Sequence, residues 1–160
     1  MAAEDTVSPR LADATIVIGY ESLAAMSRIL AELGDDLANR RPSLPHANSP
    51  YAIVFHCVGM LEHWAGSVIA GLGIPRDRDA EFTASGPVDE LIAKVDQVRT
   101  RLVGWVDVAV HEGIRDRSAR GSTRSEGATA TPEWVLMHIQ RELAQHLGQL
   151  ELTRDVLTQA

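Results

Sequence analysis

The segment from Tyr51 to Ile74 constrains the fold most, because it is apolar nearly all round rather than along one face. Ser49 and Pro50 in front of it are typical of a helix N-cap and of the first helical position. The predicted helix ends at about residue 70, before Gly71, Gly73 and Pro75. A helix without a polar face has to be covered on all sides. The segment therefore predicts the central helix of a larger helical assembly.

A membrane-spanning helix is the alternative interpretation of this segment. His56, Glu62 and His63 lie near its centre, and ionisable side chains at that depth in a bilayer are costly. We therefore expect a buried helix and no membrane partner.

Three further segments carry the apolar repeat of a helix with one buried face. They run from about Leu11 to Leu37, from about Pro87 to Val110, and from Pro132, with Thr131 as N-cap, to the C-terminus. No segment alternates apolar and polar residues with the period of two that is typical of a half-buried strand. Four long helices in 160 residues predict an all-α fold, a four-helix bundle that forms one domain over residues 1–160.

The connection from Gly113 to Ala130 is long for a bundle and rich in Gly, Ser, Thr and Arg. Loops of this length tend to be functional or disordered. Two interpretations stay open: a solvated loop, or a lid over one end of the bundle whose arginines meet polar groups of a ligand. These arginines are Arg115, Arg117, Arg120 and Arg124.

The composition excludes several kinds of partner. Twenty-two acidic residues against 15 basic ones give a formal net charge of −7, the wrong sign for binding nucleic acid or an anionic membrane. The one cysteine, Cys57, cannot form an internal disulfide, and the acidic N-terminus lacks the features of a secretory signal. We therefore expect a cytoplasmic protein with no nucleic-acid partner.

The last predicted helix contains the sharpest group of functional side chains, His138, Glu142 and His146. Steps of four residues place them on one slowly rotating helix face. A carboxylate and an imidazole one turn apart can bind the same metal ion, and zinc accepts both kinds of ligand. A Glu–His pair on a solvent-facing surface is the plain alternative.

His56 favours the metal site over the solvent-facing pair, because apolar residues surround it in the predicted central helix. A buried imidazole needs partners for its ring nitrogens. It either bonds to a backbone carbonyl or supplies a third metal ligand from a neighbouring helix. Three protein ligands leave one position open, as in catalytic zinc sites.

The other histidines and the cysteine have weaker claims. His63 lies seven residues from His56, so it is an additional ligand or a partner that contacts a ligand. His138 lies one turn from Glu142, so it is a ligand or lines the pocket. We expect a small core residue at Cys57 and solvated side chains at His46 and His111.

These residues together resemble the DinB/YfiT-like superfamily over essentially the whole chain. The resemblance is carried by Asn48-Ser49-Pro50, His56 ahead of Trp64, Trp134, Glu142-Leu-Ala-Gln-His146-Leu-Gly-Gln149 and Arg154. Glu142 stands where many members have a second His, which is similar to the branch of mycothiol-dependent maleylpyruvate isomerase and the mycothiol S-transferases. That branch is actinobacterial, in keeping with a chain whose basic residues are all Arg except Lys94.

The resemblance implies a DinB-like four-helix bundle, often a homodimer, that holds a divalent metal, usually zinc. By the same resemblance the metal ligands are His56, Glu142 and His146, and His138 and Gln149 line the pocket. The isomerase has an additional C-terminal domain, so a chain that ends at Ala160 is expected to be a stand-alone transferase.

The expected function is that of a metal-dependent thiol S-transferase with mycothiol as cosubstrate. A thiol that coordinates a metal loses its proton, and the resulting thiolate is the nucleophile that attacks an electrophilic substrate. No protein nucleophile is apparent in the sequence. Two alternatives stay open: a metal-dependent hydrolase that activates water, with His138 or His63 as general base, and a non-enzymatic stress-response bundle.

Overall fold

The computed structural model describes residues 6–124 and 126–159. The elements are α1 (Pro9–Ala38), α2 (Pro50–Leu61), a π-helical segment (Glu62–Ile69), α3 (Arg78–Glu81), α4 (Val88–His111), a 3-10 turn (Glu126–Ala128) and α5 (Pro132–Thr158). The described residues include no strand. The helix α1 packs on α4 and α5, and α2 packs on α5 and α4. The predicted all-α bundle is confirmed, whereas the single domain over 1–160 stays a prediction, since residues 1–5, 125 and 160 lie outside the described ones.

The predicted helix starts are set by side-chain caps. The Ser49 and Thr131 hydroxyls accept hydrogen bonds from the backbone N–H groups of Ala52 and Trp134, both at 3.2 Å. Each cap satisfies one of the amide groups that the first helical turn leaves without a partner. The first helix starts two residues before its predicted beginning, at Pro9 behind the cap Ser8.

Two backbone features depart from the predicted regular helices. In α1, Gly34 has φ +63° and ψ 178°, a conformation that favours glycine, so the helix is interrupted one turn before its end. The predicted central helix continues to Ile69, but its second half, Glu62–Ile69, is wound as a π-helix. Such segments occur frequently at functional sites.

The central helix is buried, as predicted. Every residue of Pro50–Val54 and of His63–Ile69 is buried, which positions His56 inside the bundle. By length and composition, Pro9–Ala38 and Pro50–Ile69 are each long and apolar enough to cross a membrane. In Pro50–Ile69, however, 83% of the apolar stretch is buried inside the protein, as in the core helix of a soluble protein.

The long connection after α4 is fastened to the end of the π-helical segment. The backbone N–H groups of Arg115 and Asp116 donate to the carbonyls of Ile69 and Val68 at 3.1 and 3.0 Å. These carbonyls belong to the last turn of the π-helical segment, where carbonyl groups have no hydrogen-bond partner within their own helix. The loop therefore lies over this end of the bundle.

The short helix α3 was not predicted. It lies in the connection between the π-helical segment and α4 and is capped by the Asp77 carboxylate, which accepts from the Ala80 N–H group at 3.1 Å. Its four residues are too few to show a helical repeat. This helix matters because it carries Glu81 to the interior, where Glu81 is 2% exposed.

Candidate metal centre

Three possible ligand atoms from α2 and α5 converge inside the bundle. One each from His56, Glu142 and His146, they all lie within 4.8 Å of one another. His56 is buried, and the side chains of Glu142 and His146 are 17% and 14% exposed. We call these three residues the donor group; it is the one such group among the residues that the structure describes.

The donor group fits a divalent metal by its chemistry and its spacing. Zinc binds imidazole nitrogen and carboxylate oxygen at about 2.0–2.2 Å in tetrahedral sites, so two neighbouring ligand atoms lie about 3.4 Å apart. His146 Nε2 and Glu142 Oε2 are 3.5 Å apart. The two side chains on α5 are therefore already at the separation that one tetrahedral ion requires.

The orientation of His56 is fixed by Glu81, which the sequence analysis missed. The Oε2 atom of Glu81 lies 2.7 Å from His56 Nδ1. Arg76 donates to both carboxylate oxygens of Glu81, from Nε to Oε1 at 2.6 Å and from Nη2 to Oε2 at 3.0 Å. Burial raises the pKa of the Glu81 carboxyl, but the hydrogen bonds from His56 and Arg76 and the charge of Arg76 outweigh it, so this pKa lies below its usual range. An ionised Glu81 accepts a hydrogen bond from the Nδ1–H group of His56, which leaves the unprotonated Nε2 free to bind a metal.

The second histidine is held in a similar way. Gln149 Oε1 lies 3.0 Å from His146 Nδ1, which leaves Nε2 facing Glu142. Burial lowers the pKa of His146 more than the hydrogen bond that its ring donates to Gln149 raises it, and the neutral imidazole is the form that binds metals. Partners of this kind orient metal-binding histidines and fix their tautomer.

His138 lies beside the donor group rather than within it. Its Nδ1 is 3.9 Å from Glu142 Oε1, beyond hydrogen-bonding distance. Its ring stacks on Trp134 with centroids 4.9 Å apart and meets the edge of Trp64, also at 4.9 Å. It is buried, and burial lowers its pKa below the usual value. Among the predicted pocket residues it is the one that lines the inner cavity described below.

His63 is also outside the donor group. It is 2% exposed, its ring lies 5.1 Å from that of Trp64, and its Nδ1 has no hydrogen-bond partner within the described part of the chain. Burial, with the nearby charge of Arg76, lowers its pKa to about 4. His63 is therefore a neutral core residue under the loop.

The remaining predictions about single residues are confirmed. His46 and His111 are exposed, and Cys57 is fully buried. Burial raises the pKa of the Cys57 thiol, and the charges of Glu142 and Glu81 raise it further. A buried, protonated thiol is a poor nucleophile.

An inner cavity of about 200 Å³ opens beside the donor group. His56, Glu142 and His138 form part of its wall, and guanidinium groups form another part, from Arg76, Arg78 and Arg124. It shares Arg76 and Arg78 with an outer cleft of about 480 Å³. The donor group can therefore be reached by a small molecule.

One of these three arginines was predicted from the sequence to meet a ligand. Arg124 was among the four loop residues, of which Arg115 instead pairs with Glu112 and Arg117 donates to the Ala130 carbonyl at 2.6 Å. The sequence does not predict the positions of Arg76, Arg78 and Glu81, because they depend on how the chain folds back between two helices. The one local signal is Asp77, a typical helix N-cap residue four positions before Glu81.

The fold and this geometry define a class, that of helical-bundle proteins with a candidate metal centre built from side chains on facing helices. A family model described as Mycothiol-S-transferase (MST) matches residues 20–159, which include α2, α5 and the whole donor group. The chain belongs to this mycothiol-S-transferase family. No curated protein and no solved structure matches it significantly.

Proposed function

We propose that this protein is a metal-dependent S-transferase that conjugates mycothiol, a low-molecular-weight thiol, to electrophilic small molecules. The observation that carries the proposal is the convergence of His56, Glu142 and His146 within 4.8 Å, in a chain whose family is named for this transfer. We further propose zinc as the metal, because the donor set of two imidazoles and one carboxylate suits it.

The proposal gives separate roles to the residues that would bind the metal and to those that orient them. His56, Glu142 and His146 would hold the ion, and Glu81 and Gln149 keep the Nε2 atoms of both histidines pointed at it. When bound, such an ion lowers the pKa of a coordinating thiol and so favours the thiolate. This chemistry removes the need for a nucleophile from the protein, and Cys57 is unsuited to that role.

The inner cavity is the place where the electrophilic substrate would bind and react. Buried Trp64 and Met60 lie in its wall beside polar side chains such as Arg78, so the cavity can receive a small molecule that has both apolar and polar groups. Loop residues, among them Arg124, form another part of this wall. A thiol bound here would lose its proton to solvent, its sulfur would attack the electrophilic carbon to form a thioether, and the displaced group would leave with the bonding electron pair.

The test compares the wild-type protein with His56→Ala, Glu142→Gln and the matched control His111→Ala. His111 is an exposed histidine on α4, with a side chain 67% exposed, and it does not line the cavity beside the donor group. We expect about one zinc per chain by mass spectrometry in the wild type and the control, as three donors to one ion require. Conjugation of mycothiol to monochlorobimane, followed by fluorescence, should fall to the uncatalysed rate in both donor variants.

Three outcomes would contradict the proposal. Stoichiometric zinc with no thiol consumption across a panel of electrophiles would exclude transfer, and hydrolysis of an ester or amide without thiol would assign the metal to water activation. Metal-free protein with an unchanged melting temperature in chelator would favour a non-enzymatic bundle. The cytoplasmic location and the homodimer also remain proposals.

A further inference from the structure

A guanidinium group is held on an aromatic ring directly next to the donor group. The Cζ atom of Arg78 lies 5.1 Å from the centroid of the Phe82 ring, and that ring stacks on His56 at 5.2 Å with an interplanar angle of 25°. Within residues 6–124 and 126–159, Arg78 is paired with no carboxylate and donates no hydrogen bond. Its position is fixed by a cation–π contact, while its N–H groups are left free.

A second guanidinium group is held in the same way on another side of the cavity. The Cζ atom of Arg124 lies 6.0 Å from the centroid of Trp134, and Trp134 stacks on His138 at 4.9 Å. Its one ion pair is with Glu126, at 2.9 Å. This pair is partly exposed to solvent, where ion pairs contribute little. Arg124 therefore keeps donors for a ligand as well.

The charges around the cavity do not cancel. Arg76 is neutralised by Glu81, which accepts two hydrogen bonds from it. Glu142 belongs to the donor group, where a divalent ion would more than neutralise it. Among the described residues Arg78 remains at the wall without an acidic partner, and Arg124 is paired there only with the solvent-exposed Glu126, on a chain whose net charge is −7. Positive charge at one site of a negatively charged protein is typical of a site that binds an anion.

We propose that Arg78 and Arg124 form an anion-binding wall and that the electrophilic substrate carries a carboxylate which they recognise. This inference rests on the proposed function and names the substrate class for the same site. Guanidinium groups bind carboxylates through paired, charge-assisted hydrogen bonds. The carboxylate then orients the electrophilic carbon towards the thiolate beside His56. For a haloacid, the C–S bond forms, the C–halide bond breaks, the halide leaves with the bonding electron pair, and the thiol proton passes to solvent.

The experiment compares two electrophiles of nearly equal shape, iodoacetate and iodoacetamide, with mycothiol and the zinc-loaded enzyme. Each value of kcat/KM is divided by the uncatalysed rate constant, which removes the difference in intrinsic reactivity. We expect a larger acceleration for iodoacetate. Arg78→Gln and Arg124→Gln should each lower it by about tenfold or more, the effect of losing one charge-assisted hydrogen bond, while the acceleration for iodoacetamide stays within about twofold.

A matched control removes the same charge elsewhere. Arg99 on α4 lies over the ring of Tyr20 at 5.4 Å and does not line the inner cavity. Arg99→Gln should leave both accelerations unchanged. Equal losses for both electrophiles in the Arg78 and Arg124 variants would overturn the proposal, because the arginines would then serve the thiol rather than the electrophile. So would equal acceleration of both electrophiles by the wild-type enzyme.

A second measurement needs no turnover. Iodide and acrylamide quench tryptophan fluorescence, and Trp134 is the half-buried tryptophan beside Arg124, whereas Trp64 and Trp105 are buried. Because a positive wall attracts anions, Arg124→Gln should lower the Stern–Volmer constant for iodide and leave that for acrylamide unchanged. Equal iodide quenching in both proteins would overturn the anion-binding wall. Absence of conjugation with both electrophiles would instead contradict the proposed function.

Discussion

Gly59 offers a way to disturb Glu81 without changing any charged or metal-binding residue. A Cβ atom at position 59 would lie 2.2 Å from Glu81 Oε1 and 3.0 Å from its Cδ, so the carboxylate has to move. That carboxylate holds His56 Nδ1 at 2.7 Å. Gly59→Ala should therefore turn the His56 ring away from the donor group.

The magnitudes come from two effects. Alanine in a helix interior stabilises by about 0.5–1 kcal/mol relative to glycine, whereas overpacking a well-packed site costs about 1–3 kcal/mol. We expect a net loss in the free energy of unfolding of roughly 0–2 kcal/mol. Loss of a residue that orients a metal-binding histidine lowers metal affinity by about 10–100-fold, which corresponds to about 1.4–2.8 kcal/mol.

The matched control is Gly104→Ala in the interior of α4, where a Cβ atom would meet nothing within 4 Å. It should gain about 0.5–1 kcal/mol of stability and bind zinc like the wild type. Zinc affinity is measured by competition with a chromophoric chelator, and stability by urea unfolding of the metal-free proteins. If Gly59→Ala binds zinc as tightly as Gly104→Ala, Glu81 does not position His56 and the reasoning is refuted.

Three further predictions concern single side chains. Because the pKa of His63 falls from an ordinary 6.5 in the unfolded chain to about 4 in the fold, the unfolded chain binds more protons between these values. The free energy of unfolding therefore decreases as the pH falls from 6.5 towards 4, by about 2 kcal/mol between pH 7 and pH 5. Urea unfolding of the metal-free proteins should show a shallower pH dependence for His63→Gln than for the wild type. Parallel curves for the two proteins would contradict this prediction. Gln149→Ala should weaken zinc binding by about tenfold in the same chelator competition, and an unchanged affinity would show that Gln149 does not orient His146. The thiol of Cys57, fully buried with a raised pKa, should react with an aromatic disulfide only after the chain is unfolded in urea, and stoichiometric reaction of the folded protein would refute its assignment to the core.

The helical repeat explains why the donor group could be predicted in part. Glu142 and His146 are one turn apart on a helix, and this spacing alone brings them to 3.5 Å. His56 could be recognised as buried because of its apolar neighbours, but its approach to α5 is a matter of helix packing. The resemblance supplied that link before the structure did.

The residues that orient the donor group could not be predicted from local patterns. Glu81 reaches His56 from 25 positions along the chain, through a helix of four residues that has no repeat to detect. Gly59 looks like an ordinary glycine in the sequence, and the need for it comes from the Glu81 carboxylate against its Cα. The π-helical winding of Glu62–Ile69 is likewise a result of packing rather than of composition.

Reconstitution of metal-free protein with zinc tests the central claim most directly. The initial rate of mycothiol consumption, with an electrophile in excess, is measured after each addition of metal. The account predicts a rate that rises linearly and stops rising at about one equivalent per chain, as one ion held by three ligands requires, and no rise in His56→Ala over the same range. Full activity of the metal-free protein, or a rate that does not respond to zinc, would contradict it.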